Sequence, residues 1–114
     1  MKKVFVVILN FNGVENTIEC LESVFKTENN KGFLYEVIVV DNASRDGSVE
    51  KIRNKFKNVI LIENQKNLGF TGGCNEGIRY ALKSGADYIM LLNNDTRLDD
   101  RMIDHPISSA VMYL

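Results

Sequence analysis

The chain has 114 residues, 45% of them apolar and 25% charged, with a formal net charge of -1. That is one ordinary globular domain with a modest core, with no basic field to hold nucleic acid and no apolar run near the roughly 20 residues of a membrane span. Any anionic ligand must then be held by local geometry and a cation.

The first apolar run, Val4 to Leu9, follows Met1-Lys2-Lys3 in the manner of a very short secretory signal. It has no small-residue cleavage site and ends in Asn10-Phe11-Asn12-Gly13, so it reads as a buried strand. Ile18, Leu21, Val24 and Phe25 then keep the helical period, and two overlapping capping-box patterns, Asn12 to Glu15 and Asn16 to Glu19, are available to start that helix. Val37 to Val40 forms the second strand. The turn-rich Ser44-Arg45-Asp46-Gly47-Ser48 leads into a second helix through Val49, Ile52 and Phe56. The third strand is Val59 to Ile62, followed by a helical stripe of Cys74, Ile78, Ala81 and Leu82, with Gly85 placed as a left-handed C-cap. Tyr88 to Leu92 is the fourth strand. Cys20 and Cys74 lie outside any metal-ligand spacing and on the apolar sides of helices, so they read as reduced core residues, in keeping with a cytoplasmic setting.

The four apolar runs are continuous rather than alternating and rich in Val and Ile, which marks strands covered on both faces. The expected fold class is therefore α/β: an open, mostly parallel sheet with helices on both faces, in the order βαβαβαβ with right-handed crossovers. Such sheets bind ligands beyond the carboxyl ends of their strands, where strand order reverses.

The residues that end the strands are Asn10, Asp41 and the triplet Asn93-Asn94-Asp95. The third strand feeds into Glu63-Asn64-Gln65 and then Asn67-Leu68-Gly69-Phe70-Thr71-Gly72-Gly73. Any one of these polar residues has an alternative role as a cap for the helix that follows. As a set they point to a ligand, because Asp95 follows an apolar strand and no helix start succeeds it. A nucleoside diphosphate carries adjacent negative charges that Mg2+ or Mn2+ neutralises through one or two carboxylates, and the same cation stabilises the diphosphate as a leaving group. Asp41, with Asn42 and Ser44 beside it, is placed to hydrogen-bond a base or a ribose. The stretch from Gly69 to Gly73 is neither a phosphate-binding Walker loop nor a dinucleotide fingerprint. Close backbone approach to a ligand and a tight turn into the helix explain its glycines equally well.

Four segments resemble, in order and spacing, the family 2 glycosyltransferases of the GT-A fold, and within them the rhamnosyltransferase-like branch. They are Val-Ile-Leu-Asn-Phe-Asn-Gly (7 to 13), Val-Val-Asp-Asn-Ala-Ser-Arg-Asp-Gly-Ser (39 to 48), Asn-Leu-Gly-Phe-Thr-Gly-Gly-Cys-Asn-Glu-Gly-Ile (67 to 78) and Leu-Leu-Asn-Asn-Asp-Thr (91 to 96). The resemblance implies that Asp41 binds the nucleobase and ribose and that Asn10 lines the base pocket. It implies that Asn67, Gly69, Gly72 and Asn75 pack around the nucleotide, and that Asn93-Asn94-Asp95 stands for the family's Asp-X-Asp motif. Asp95 and Asn93 would then hold the metal, with Asn94 beside the nucleotide. Asn93 departs from the family pattern, since an amide ligates through oxygen but adds no charge.

The implied activity is inverting, metal-dependent transfer of a sugar such as rhamnose or a hexose from a UDP-, dTDP- or GDP-linked donor to a glycan or lipid acceptor. The base that such a reaction needs lies, in the family, well beyond the metal motif. Asp99, Asp100 and Asp104 follow too closely and read as turn charges, as does His105 before Pro106. Residues 1–100 are thus expected to form a nucleotide-sugar-binding half. Residues 101–114 are expected to form an apolar tail leading to an acceptor-binding half, with self-association through that exposed edge. The competing expectation is a non-catalytic nucleotide-binding or self-assembling module. A phospho-receiver domain is disfavoured, because Asn10 stands where that fold needs an acidic pair.

Overall fold

The computed structural model describes residues 1–26 and 32–97, and the backbone of 111–113. Four strands, β1 (Lys2–Asn10), β2 (Phe33–Asp41), β3 (Val59–Glu63) and β4 (Tyr88–Asn93), alternate with helices α1 (Val14–Lys26), α2 (Ser48–Lys55) and α3 (Gly69–Lys83). The sheet order is β3-β2-β1-β4-β5, where β5 is Val111–Tyr113. The four long strands are mutually parallel and β5 runs antiparallel to β4. This is the open α/β sheet that the apolar runs imply.

Successive residues of β1 serve opposite faces, as the strand period requires. Val4, Val6 and Ile8 pack with Cys20, Leu21 and Val24 of α1 and Ile52 of α2. Phe5 and Val7 pack with Ala81 of α3, together with Ile38 and Val40. Helices α1 and α2 therefore cover one face and α3 the other. On the α3 face the contact is close: a Cβ on Gly77 would lie 2.6 Å from Val7 Cγ1, and one on Gly73 would lie 2.5 Å from Leu9 Cδ1. Gly85, at φ 82, ends α3 in the left-handed region, and Ala86 N–H reaches back to Ala81 O at 3.1 Å. Among the described residues no helix is long and apolar enough to cross a membrane.

Two local expectations change. The capping box at Asn12 does not form. Its side-chain oxygen accepts from Arg45 N–H at 2.8 Å, and the first turn of α1 is capped from a distance, by Asp46 Oδ2 on Val14 N–H at 3.2 Å. The stretch from Gly69 to Gly73 is the first part of the helix rather than a turn into it, because α3 begins at Gly69 and both Gly72 and Gly73 are helical. Part of the apolar tail, Val111–Tyr113, lies along β4 as a short strand, which its three residues could not announce by period. Asp99, Asp100, Asp104 and His105 lie outside the described residues.

Both cysteines are free and buried, as expected of core residues. Burial pushes the Cys20 thiol up to about 11 and raises Cys74 as well. At pH 8 a thiol of that acidity is roughly 0.1% thiolate, the form that reacts. The folded protein is therefore expected to show no fast-reacting thiol toward an aromatic disulfide reagent, and two after denaturation. One fast thiol in the native state would contradict this packing.

Candidate functional site

The connections run outward from β1 to β2 to β3, and the chain then crosses back to place β4 on the other side of β1. Strand order thus reverses between β1 and β4, where open sheets hold their ligands. A cleft of about 290 Å³ lies at this point, lined by Leu9, Phe11, Phe70, Asn93, Asn94 and Asp95. A second cleft of about 660 Å³ sits over the end of β2, lined by Phe11, Asn12, Ala43, Ser44, Arg45, Gln65, Lys66 and Asn67. Phe11 walls both, so the two form one groove along the strand ends.

Register places the floor of this groove. Asn10 pairs with Asp41 across β1 and β2, and Leu9 pairs with Asn93 across β1 and β4. Asn10 is fully buried and Asp41 is 2% exposed. Asn10 Nδ2 donates to Asp41 Oδ1 at 2.7 Å and to Ser44 Oγ at 3.2 Å, while Asp41 Oδ2 accepts from Ser44 N–H at 2.9 Å. Buried polar groups demand such pairing. Asn42, also buried, donates to Gly69 O at 3.0 Å and accepts from Asn64 Nδ2 at 2.9 Å, which fastens the β3–α3 connection to β2. In this conformation Asn10, Asp41 and Asn42 form the floor of the pocket rather than its wall. The wall is Ser44, Arg45, Asn12 and Asn67. Asn67 also accepts from Gly69 N–H at 2.8 Å and so stabilises the start of α3.

The loops above this floor are held under tension. Asn12 and Ala43, both lining the larger cleft, have left-handed backbones at φ 48 and 62. For Ala43 that conformation costs roughly 1–2 kcal/mol, while asparagine adopts it more readily because its short polar side chain bonds nearby backbone. It persists here because Asn12 N–H donates to Ser44 Oγ at 2.8 Å and Arg45 N–H to Asn12 Oδ1. Strain of this kind collects at ligand sites.

At the other end, Asn93 to Thr96 make a tight turn closed by Thr96 N–H on Asn93 O at 2.9 Å. Arg97 clips the turn to α1: its Nη1 donates to Asn94 O and Thr96 O, each at 3.0 Å, and its Nη2 to Asn16 Oδ1 at 3.3 Å. Asn94 faces inward, donating to Thr17 Oγ1 at 3.2 Å and to Gly13 O at 3.5 Å. Asn93 and Asp95 are exposed, and among the described residues neither side chain makes a hydrogen bond or ion pair. The turn therefore offers one carboxylate and an amide oxygen with their lone pairs uncommitted. Among the described residues no group of three or more His, Cys, Asp or Glu could enclose a metal ion. That donor set suits Mg2+ or Mn2+, which bind through one or two carboxylates and take the remaining oxygens from phosphates and water.

Of the residues marked out by sequence, the structure brings Asn10, Asp41, Asn42, Asn67 and the triplet Asn93-Asn94-Asp95 to this rim. Gly69 joins them through its carbonyl. Gly72 and Asn75 line neither cleft: Gly72 sits against Leu68, and Asn75 is exposed one turn further along α3. Three contributors were not foreseen. Phe11 and Phe70 are 48% and 59% exposed and wall the smaller cleft. Thr17 is fully buried beneath it. Its position gave a signal, since it falls on the stripe Val14, Leu21 and Val24, where a hydroxyl needs a partner.

An open α/β domain, with a groove along its strand ends and an acidic turn at its switch point, is the class that fold and groove define. The sequence pattern of glycosyl transferase family 2 matches residues 5–105, and the chain belongs to that family. Solved structures agree on the fold. The mannosyltransferase PcManGT from Pyrobaculum calidifontis, in complex with GDP-Man and Mn2+, superposes with a TM-score of 0.73 at 22% identity, over 87% of this chain and 29% of that one. TarS 1-349 of S. aureus in complex with UDP gives a TM-score of 0.69 at 27% identity, over 95% of this chain and 31% of that one. Its complex with UDP-GlcNAc gives 0.69 at 27%, over 95% and 30%. The chain thus spans about a third or less of the structures it resembles. No curated protein matches it in sequence.

Proposed function

We propose that this chain is the donor-binding portion of an inverting, metal-dependent glycosyltransferase. The reading rests on one coincidence: in a chain of this family, the uncommitted oxygens of Asp95 and Asn93 stand in the cleft at the β1/β4 switch point. The nucleoside lies in the larger cleft over Asp41 and Ser44, and the diphosphate lies across Phe11 toward Asp95. Asp95 and Asn93 would hold Mn2+ or Mg2+, which when bound neutralises charge on the departing diphosphate. Phe11 and Phe70 exclude water from the apolar side of the cleft. The neighbours' ligands, GDP-Man, UDP and UDP-GlcNAc, support a nucleoside-diphosphate sugar as donor. Transfer also requires a base for the acceptor hydroxyl. Asp95, the one carboxylate lining this cleft among the described residues, would be engaged with the cation and so is not assigned as that base.

Calorimetric titration with UDP, GDP and dTDP, with and without Mn2+, tests this. At least one diphosphate is expected to bind with a Kd at or below the order of 100 μM in Mn2+, corresponding to roughly 5.5 kcal/mol, and at least tenfold more weakly without it. No binding of any of the three under either condition overturns the proposal.

A further inference from the structure

Four buried or half-buried side chains join the two ends of the groove by hydrogen bonds that all run in one direction. Asn94 Nδ2 donates to Thr17 Oγ1 at 3.2 Å, and Thr17 Oγ1 donates to Asn10 Oδ1 at 2.5 Å. Asn10 Nδ2 in turn donates to Asp41 Oδ1 at 2.7 Å. Thr17 is the hinge of this series because its hydroxyl is the one group there that both accepts and donates through a single atom. A one-way series ending on a carboxylate is polarised along its length, so each bond strengthens the next. Among the described residues Asn94 Oδ1 accepts no hydrogen bond, so the amide's inward Nδ2 contacts set its orientation in the residue that lines the smaller cleft.

We propose that Thr17 is a positioning residue that couples the nucleoside end of the groove, at Asp41 and Ser44, to the cation-binding turn, at Asn93 to Asp95. The inference rests on the donor-binding reading above. Thr17 touches neither ligand. It holds Asn10 and Asn94 at a fixed separation, so that a nucleotide seated over Asp41 presents its diphosphate to a turn already in place. By reciprocity, a cation in the turn strengthens nucleotide binding by the factor by which the nucleotide strengthens cation binding.

The experiment measures the factor by which Mn2+ strengthens binding of UDP, GDP and dTDP, by calorimetry well below the melting temperature. Thr17→Val and Thr17→Ala both remove the hydroxyl, and either one, once folded, decides the matter. Thr17→Ser keeps the hydroxyl. Val24→Ala, in the core at the far end of α1, supplies destabilisation without touching the series. The Mn2+ factor is expected to fall about tenfold in Thr17→Val and Thr17→Ala, equivalent to ~1.4 kcal/mol of coupling. It is expected to return in Thr17→Ser and to be unchanged in Val24→Ala. A wild-type factor retained in the folded variants without the hydroxyl overturns the coupling and leaves the donor-binding reading standing. An equal fall in Val24→Ala also overturns it, since stability alone would then explain the loss. A wild-type chain that binds none of the three diphosphates overturns both.

Discussion

Replacing Asp95 by Ala is expected to weaken Mn2+-supported binding of a nucleoside diphosphate by at least about 100-fold, or ~2.7 kcal/mol, while leaving the fold intact. Two features make the effect large. Asp95 is the single carboxylate in the lining of the switch-point cleft among the described residues, so its loss removes the charge that offsets a divalent cation there. Asn93 can keep an oxygen ligand but supplies no charge. The fold should be indifferent, because Asp95 is exposed and unpaired among the described residues. A change at such a position typically stays within about 0.5 kcal/mol of stability. Asp95→Asn separates geometry from charge and should fall between wild type and Ala. Calorimetry with and without Mn2+, beside thermal melts, checks all three chains. Affinity in Mn2+ that survives Asp95→Ala would remove the turn from the site.

Gly77→Val is expected to be strongly destabilising. Its Cβ alone would sit 2.6 Å from Val7 Cγ1 and 3.1 Å from Val40 Cγ2, both in strands at the centre of the sheet. Valine adds two methyls beyond that clash, and neither the β1 nor the β2 backbone can yield without shifting its ladder. Overpacking of a dense core costs roughly 1–3 kcal/mol, and the upper end applies where backbone must move. For a domain of this size that corresponds to a fall in Tm of roughly 10 °C or more. Gly73→Ala should cost less stability, because the Leu9 side chain it meets is only partly buried and can turn aside. It also meets Asn42 Nδ2 at 2.8 Å and should loosen the β3–α3 connection. Differential scanning calorimetry of the two variants checks the ranking, and a Gly77→Val melt within 3 °C of wild type, about 1 kcal/mol by that scaling, would show that α3 does not pack as described.

Much of this architecture could be read from residue order alone. Val4 to Leu9 and Val37 to Val40 are apolar at every position, and only strands covered on both faces require that. The strand ends followed, and with them Asn10, Asp41 and Asp95. What the chain order hid depended on register. Phe11 looked like one more residue after a strand, and its place between two clefts becomes visible only when Asn10 is set opposite Asp41. Asn12 matched a capping pattern, yet Arg45, 33 residues away, takes its oxygen. Gly69 to Gly73 suggested a tight turn or a close approach to a ligand because glycine is poor in helices, whereas Gly73 and Gly77 are there to let α3 lie against β1 and β2. Local propensity lost to packing at that point.

The position of β1 also bears on how the chain is made. Its two neighbours arrive at different times: β2 begins at residue 33 and β4 only at residue 88. The bond from Lys3 N–H to Asp87 Oδ2, which fixes the near end of the β1–β4 pair, spans 84 residues. At roughly 5–20 residues per second, about 4–17 s separate the synthesis of its two halves. During that interval one edge of a Val- and Ile-rich strand stands open on the ribosome. A hairpin could not close it, because a parallel partner must come from a distant segment. Among the described strands, newly made β1 is therefore the one whose edge waits longest for its partner, open to chaperones or to another nascent copy before β4 is available.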